Sequence, residues 1–315
     1  MATMIALIGE QQLPNFLPVL HYTPAHVLLV YTARTESRYK KLKAVLEQKQ
    51  VKTPGKETGQ KIKVFGVKTD PYNIADIIED INKELAQNTE LAQAIQKSIQ
   101  PPVINWTGGT KVMSLAAYHI AQQYCAPMMY LQSEGKNSCM YHYNWKDQHL
   151  QSAGSELLPE YLTLQDVFDL HFGSGNWHEN GVGRDEGSPF EEALASVLHM
   201  HGYEIMIGVG AMGGQIDVDV AIRAGNQYGI IEAKMGRNGR KLDGIKQLST
   251  AARLLGTYSQ TFYVITVPPQ RTHRAITEAS NIQVVSLPGY DMTTNMLQPL
   301  DVAELLSSVG NKLIA

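Results

Sequence analysis

Short apolar runs rich in β-branched residues alternate with segments of helical period through the first half of the chain. This alternation constrains the fold more than any other feature of the sequence. Ile5–Ile8 and Val27–Tyr31 have the length and composition of buried strands. Ser37–Gln48 follows the second run, with Leu42, Val45 and Leu46 at helical spacing. Further strands are predicted at Ile62–Val67 and Val103–Asn105. Helices are predicted over Ile74–Gln87, after the Asp70-Pro71 turn signal, and over Val112–Gln123. Met128–Leu131 and Met140–Tyr143 read as closing strands. Strands separated by helices imply a parallel, open α/β sheet, and such sheets hold ligands beyond the carboxyl ends of their strands.

The second half changes pattern. Residues 151–184 show no apolar period beyond a short helix near Leu164–Leu170, and Gly173–Gly183 is glycine-rich, so this stretch is expected to be a linker. The predicted domains are therefore 1–150 and 185–315, a division that suits 315 residues. The second domain opens with a predicted helix. Ser188 is placed at its N-cap, Pro189 in its first turn and Glu191 in a Ser-x-x-Glu capping box. Strands are expected at Ile216–Ile222, Tyr228–Ile231, Phe262–Thr266 and Ile282–Ser286. Helices are expected at Leu242–Leu255 and, capped by Asp301-x-x-Glu304, near the end of the chain.

Composition excludes several classes. Hydrophobic residues at 43 % and charged residues at 18 % are those of a globular protein, not a disordered one. Lys and Arg total 27 against 30 Asp and Glu, a formal charge of −3, which argues against a bulk nucleic-acid coater but not against a local basic groove. No apolar run reaches the roughly 18 residues of a membrane span, so no membrane partner is expected. Met1–Glu10 lacks a basic leader, and cytoplasmic residence is expected. Cys125 and Cys139 are expected to be small buried hydrophobes.

After Val103–Asn105 comes Trp106-Thr107-Gly108-Gly109-Thr110-Lys111 and then a helix. Strand, glycine turn and helix N-terminus make an anion site, because unpaired N–H groups and the helix dipole both favour negative charge. From spacing alone, a tight turn with a Thr cap reads as well. The loop fits neither the Walker A spacing nor Gly-x-Gly-x-x-Gly, which disfavours ATP hydrolysis and dinucleotide redox chemistry. Two other strand ends, Gly9–Asn15 and Thr32–Thr35, fall on the same edge.

These segments resemble the CARF sensor domain, most of all that of the ancillary nucleases of type III CRISPR systems. The residues that carry the resemblance are Leu7–Asn15, Leu28–Thr32 and Asn105-x-Thr107-Gly108-Gly109-Thr110-Lys111-x-Met113. The resemblance implies a Rossmann-like domain that forms a homodimer and binds a cyclic oligoadenylate, expected to be cyclic tetra-adenylate, as allosteric activator. It implies ring contacts from Gly9, Glu10, Gln11, Gln12, Asn15, Thr32, Arg34, Asn105, Thr107, Gly108, Gly109, Thr110 and Lys111.

A second constellation lies in the other half. In Gln215–Ile222, period two puts Asp217 and Asp219 on one face; in Ile230–Lys234 it puts Glu232 and Lys234 on one face. Depending on where the Ala224-Gly225-Asn226 turn is centred, Asp217 faces Glu232 or Lys234. On the predicted helix Glu191 borders the apolar face and Glu192 points away. Carboxylates in such a group bind hard divalent cations and leave positions for phosphate oxygens and water; a solvated charged hairpin is the plainer alternative. The ordered set Glu191, Asp217, Glu232-Ala233-Lys234 resembles the PD-(D/E)xK nuclease core. That resemblance implies a restriction-endonuclease-like α/β domain, with Asp217, Glu232 and Glu191 as ligands to Mg²⁺ or Mn²⁺. Lys234 would position the nucleophile, and Gln247 would assist. Asp219 is placed in a supporting or solvated role. Arg237, Arg240, Lys241 and Lys246 could hold a phosphate backbone, without base specificity. The expected function is a ring-activated, metal-dependent nuclease acting on DNA, RNA or both. The competing readings are a restriction-type nuclease with another N-terminal regulator and a non-catalytic nucleotide sensor. No zinc pattern occurs among the histidines.

Overall fold

The computed structural model describes residues 3–51, 60–134, 137–273, 275 and 280–313; Met1 and Ala2 of the leader reading lie outside these. The fold is mixed α/β with two main sheets, and contacts divide the chain into Met1–Tyr161 and Leu162–Ala315.

The first unit runs β1 (Thr3–Leu7), α1 (Leu13–Tyr22), β2 (His26–Tyr31), α2 (Glu36–Gln48), a small β3/β4 pair (Gln50–Val51, Gln60–Lys61), β5 (Lys63–Lys68), α3 (Ile74–Gln87), α4 (Thr89–Lys97), β6 (Val103–Asn105), α5 (Lys111–Tyr124), β7 (Met128–Glu134), β8 (Asn137–Lys146) and β9 (His149–Leu157). The sheet order is β5-β2-β1-β6-β7-β8-β9. From β5 to β7 all neighbours are parallel, and β8 and β9 add antiparallel. Every residue of β1 is buried, as expected for a strand covered by helices on both faces. Ile77 and Ile81 of α3 and Met113 and Ile120 of α5 pack on Ile5, Leu7, Leu28 and Val30.

The second unit runs α6 (Leu164–Phe172), β10 (Trp177–Glu179), α7 (Ser188–Met200), β11 (Glu204–Ala211), β12 (Ile216–Ala224), β13 (Gln227–Lys234), α8 (Asp243–Leu255), β14 (Gln260–Ile265), β15 (Ile282–Ser286) and α9 (Pro299–Leu313). Its sheet follows chain order from β10 to β15. The pairs up to β12–β13 are antiparallel; β13–β14 and β14–β15 are parallel. Phe190, Leu194 and Leu198 of α7, Val220 and Ile222 of β12, Ile231 of β13 and Leu305, Val309 and Leu313 of α9 share one core.

Three expectations are corrected. Residues 151–184 are not a linker: they finish β9, form α6 and supply β10, and the division falls between Tyr161 and Leu162. Strand β9 is almost wholly exposed and is held by backbone pairing to β8, which leaves no apolar period to detect. Strand β11 was not anticipated; it lies next to the edge strand, pairing with β10 and β12. Neither cysteine is buried. Cys125 is exposed at the C-cap of α5, in the left-handed region (φ 46°), and Cys139 is half-buried. Among the described residues no helix is long and apolar enough to cross a membrane.

Candidate functional site

Because β1, β2, β5 and β6 are parallel, the loops that follow them share one edge of the first sheet. The glycine loop after β6 is pressed onto the end of β1. A Cβ at Gly108 would run into the Leu7 carbonyl oxygen, and one at Gly9 would lie 3.1 Å from the Gly109 nitrogen. Gly109 has φ +78°, a left-handed conformation. Gly108 is thus required by close backbone approach, and Gly109 by its left-handed backbone. Thr110 caps α5, accepting from the Met113 N–H at 3.1 Å, and its hydroxyl donates to the Pro71 carbonyl at 2.8 Å.

The residues expected at this site fall into two groups. Asn15 and Asn105 are fully buried and tie the loops together. Asn105 Nδ2 donates to the Pro14 carbonyl (2.8 Å) and Asn15 Oδ1 (3.0 Å), and Asn15 Nδ2 donates to the Leu7 carbonyl (2.8 Å). Thr107 donates to Asn105 Oδ1 and accepts from the Leu131 N–H. Gln12 donates to the Arg38 carbonyl, and Thr32 pairs with Thr35. These side chains build the site from beneath. Glu10, Gln11, Arg34, Gly109 and Lys111 are exposed or half-exposed at the edge itself. Glu10 there holds two arginines, Arg34 Nε at 2.7 Å and Arg38 Nη2 at 2.6 Å. Arg38 was missed from the sequence, although its i, i+4 spacing from Arg34 puts both on one side of the helix start.

In the second unit the β12–β13 hairpin takes the register Val220↔Ile231 to Ala224↔Gln227, one of the two anticipated. The ladder stops at Val220, and the Asp219 carboxylate accepts the next amide, that of Ala233, at 2.8 Å. The same Oδ2 lies 3.1 Å from Lys234 Nζ, which also lies 2.7 Å from Glu232 Oε1. The ammonium therefore bridges Asp219 and Glu232, and Glu232 is 1 % exposed. Gly244 of α8 lets that helix close over Glu232 and Tyr263. Asp217 lines the same cleft but is exposed, and it pairs through its backbone with Gly210 of β11. Asp219, not Asp217, carries the contacts to the Ala233 amide and to Lys234.

Glu191 lines the cleft and makes no capping contact. Asp185 Oδ1 accepts from the N–H groups of Gly187 (2.9 Å) and Ser188 (3.0 Å) and from Ser188 Oγ (2.9 Å), so the predicted Ser-x-x-Glu box does not form. Burial, then the charges of Asp219 and Asp185, push Glu191 up to about 7. Burial and then Asp219 push Glu232 up to about 7, against the pull of Lys234. Burial opposes the Lys234 ammonium, but Asp219 and Glu232 outweigh it and hold Lys234 above its ordinary value. The cleft, about 990 Å³, is also lined by Arg237 and Gln247; Arg240, Lys241 and Lys246 are exposed and do not line it.

Among the described residues no three His, Cys, Asp or Glu side chains stand as a formed metal cage. The donor set still fits a hard divalent cation in kind. Glu191, Asp219 and Glu232 offer carboxylate oxygens, all in an environment that disfavours their ionised forms and that added positive charge would relieve.

The Card1 CARF domain family model matches residues 3–161, slightly more than half of the chain. No curated protein matches the chain. Among solved structures, Can2 from Sulfobacillus thermosulfidooxidans in complex with cyclic tetra-adenylate is similar, with a TM-score of 0.70 at 15 % identity and all of both chains covered. Protein VC1899 from Vibrio cholerae is similar at TM-score 0.66 and 13 % identity, over 98 % of this chain and 97 % of that one. A type III CRISPR defence DNA nuclease activated by cyclic oligoadenylate is similar at TM-score 0.65 and 18 % identity, over 97 % of this chain and 51 % of that one. At these identities the likeness is one of fold.

Proposed function

The chain belongs to the Card1 CARF domain family through residues 3–161, and on that premise we propose that it is a cyclic-oligoadenylate-gated, metal-dependent nuclease. The first unit is the Rossmann-like sensor, acting as a homodimer, and the second is a PD-(D/E)xK-type effector that hydrolyses phosphodiester bonds in DNA, RNA or both. The observation that carries the reading is the Lys234 ammonium between Asp219 and Glu232, in a cleft that Glu191 also lines.

In the sensor, the N-terminus of α5, the Gly108-Gly109 backbone and Lys111 meet ring phosphates. Arg34 and Arg38 exchange Glu10 for phosphate oxygens, a swap of one charge-assisted pair for another. The ring that Can2 holds, cyclic tetra-adenylate, is the proposed activator. Ring binding gates the effector insofar as the ring binds the active arrangement better than the resting one.

In the effector, Asp219, Glu232 and Glu191 would hold Mg²⁺ or Mn²⁺, with Asp217 at the rim. When bound, such an ion supplies an acidified water and neutralises charge at the scissile phosphate. Lys234 orients the attacking water and stabilises the negative charge that builds on the phosphate oxygens. Arg237 holds a neighbouring phosphate at the cleft wall, and Arg240, Lys241 and Lys246 extend the contact outside it.

The test is incubation with supercoiled plasmid, single-stranded DNA and RNA, with Mg²⁺ or Mn²⁺, with and without cyclic tetra-adenylate. Cutting that needs both metal and ring is expected. Cutting without the ring would favour an independent restriction-type enzyme, and ring binding without cutting of any substrate would favour a sensor alone.

A further inference from the structure

The charge of the chain is unevenly placed. Between Arg34 and Lys68 the described residues hold nine of the chain's 27 Lys and Arg but only two of its 30 Asp and Glu. The fold gathers them on one edge of the first sheet, where β5 is the outermost strand. Helix α2 runs back along β5: Glu36 meets Lys68, the Tyr39 ring covers Gly66, and the Lys43 ammonium donates to the Val64 carbonyl. The carboxylates at this edge are outnumbered. Glu36 is shared by Lys40 (2.8 Å) and Lys68 (3.0 Å), Glu90 by Lys63 and His26, and Glu47 pairs with Lys43 at 3.1 Å. Hydrogen bonds from Lys40 and Lys68, and then their charges, hold the Glu36 carboxyl down to about 2. Burial and then the Arg38 charge push the Lys41 ammonium down. Lys40, Lys63 and Lys68 nevertheless leave 69, 57 and 53 % of their side chains exposed.

Lysines on an edge strand discourage pairing with another chain. That accounts for Lys63 and Lys68 but not for the run of cations on α2. The shape of the run points to its ligand. Helix and strand are each about 20 Å long by their rise per residue, so the cations form a ridge suited to a linear polyanion. Lysine is a hydrated point charge without a fixed fork, and it meets phosphates without reading bases. Among the described residues of α2, β4 and β5 no large hydrophobic side chain is exposed. Protein interfaces are depleted in lysine and rich in aromatic anchors, and helices that lie on membranes show Trp, Phe or Leu on one face. This edge has the composition of neither.

We propose that α2 and β5 form a docking ridge for the phosphate backbone of a polynucleotide, a contact made by the first unit alone and indifferent to base sequence and to strandedness. The proposal rests on the nuclease reading for the identity of its ligand. Its test is binding rather than cutting. A long labelled duplex and the matching single strand are titrated with the full-length protein in EDTA, without the ring, from about 50 to about 200 mM KCl. Anisotropy is followed for the wild type and three triple variants. One carries Lys40→Gln, Lys63→Gln and Lys68→Gln; the second carries Arg at the same three positions. The third, Lys83→Gln with Lys97→Gln and Lys146→Gln, makes the same change in net charge on α3, α4 and β8.

Wild type is expected to bind both polynucleotides with an affinity that falls steeply with salt. The ridge variant with Gln is expected to lose about tenfold on both and to flatten the dependence of log affinity on log salt by up to about three, because each neutralised phosphate contributes about 0.9. The Arg variant and the charge-matched control are expected to keep the wild-type slope, and ring affinity, the check on folding, is expected to be unchanged in all three. A ridge variant with wild-type affinity and slope, or equal losses in the ridge variant and the control, overturns the ridge and leaves the nuclease reading standing. Binding with the predicted pattern but no cutting under metal and ring overturns the nuclease reading alone. Wild type that binds neither polynucleotide overturns both.

Discussion

Lys234 keeps its ammonium at a site that is 29 % exposed, between one carboxylate that is nearly buried and one that is half-buried. Glu191 and Glu232 are both pushed up to about 7, from an ordinary value of 4.5, with burial the first cause. Between those pH values the folded chain keeps protons that the unfolded chain has released. Metal-free stability from these groups is therefore present below about 4.5 and is lost as pH rises through 7. In EDTA, the wild-type Tm is expected to fall between pH 5 and pH 8, and Glu191→Gln is expected to flatten the fall. Identical slopes for the two proteins would contradict this origin. The choice of aspartate is tested beside it. Asp219→Asn is expected to lower the cleavage rate by about a hundredfold or more, the scale of losing one charge-stabilising group. Asp217→Asn, exposed and outside the ion-pair cluster, is expected to lose about tenfold or less. The opposite order, read from initial rates under saturating ring, would return the role to Asp217. Period two alone placed both aspartates on one face. What separates them is that the ladder stops at Val220 and the Asp219 carboxylate takes the Ala233 amide, a contact with no signature in the spacing.

At the scale of elements, the legible parts were those whose cause is local. The strand–glycine–helix segment was readable because Gly108 and Gly109 leave room for the end of β1, and the Thr110 cap follows from the residue type. Gly108→Ala is expected to destabilise the first unit by a few kcal/mol, because the obstacle is the Leu7 backbone and not a movable side chain. The measure is the Tm together with ring affinity by calorimetry; unchanged values would show that the loop does not sit on β1. The illegible parts have distant causes. The N-cap falls on Gly187 and not Ser188, and Asp185 Oδ1 takes the Gly187 and Ser188 amides and the Ser188 hydroxyl, so no Ser-x-x-Glu box holds Glu191. Strand β9 has an exposed side-chain pattern and exists by edge pairing, which no hydropathy period reports. Asn15 and Asn105 are implied as ring contacts by the family resemblance; what no spacing reports is that Asn15 Nδ2 also donates to the Leu7 carbonyl and Asn105 Nδ2 to the Pro14 carbonyl.

Over the whole molecule, the chain makes two units that bury separate cores, Met1–Tyr161 and Leu162–Ala315. Their candidate sites were legible for different reasons: one follows from parallel strands delivering four loops to one edge, the other from a hairpin alternating apolar and acidic residues. The proposed coupling of the two was not legible, because coupling is a difference in affinity between two arrangements and no single sequence pattern encodes it. Coupling makes a claim about variants in opposite units. Lys111→Ala, in the sensor, is expected to shift the ring concentration for half-maximal activity upward by about tenfold, the scale of one lost charge-assisted contact. It is expected to leave the plateau rate unchanged. Glu232→Gln, in the effector, is expected to leave ring affinity unchanged and remove the plateau. The most direct measurement is therefore the initial rate of plasmid cleavage in Mn²⁺ as a function of cyclic tetra-adenylate concentration, for wild type and these two variants. A saturating curve for wild type, displaced by Lys111→Ala and flattened to the baseline by Glu232→Gln, is the predicted result. A wild-type rate independent of the ring, or a Glu232→Gln rate that still climbs with it, would contradict the account.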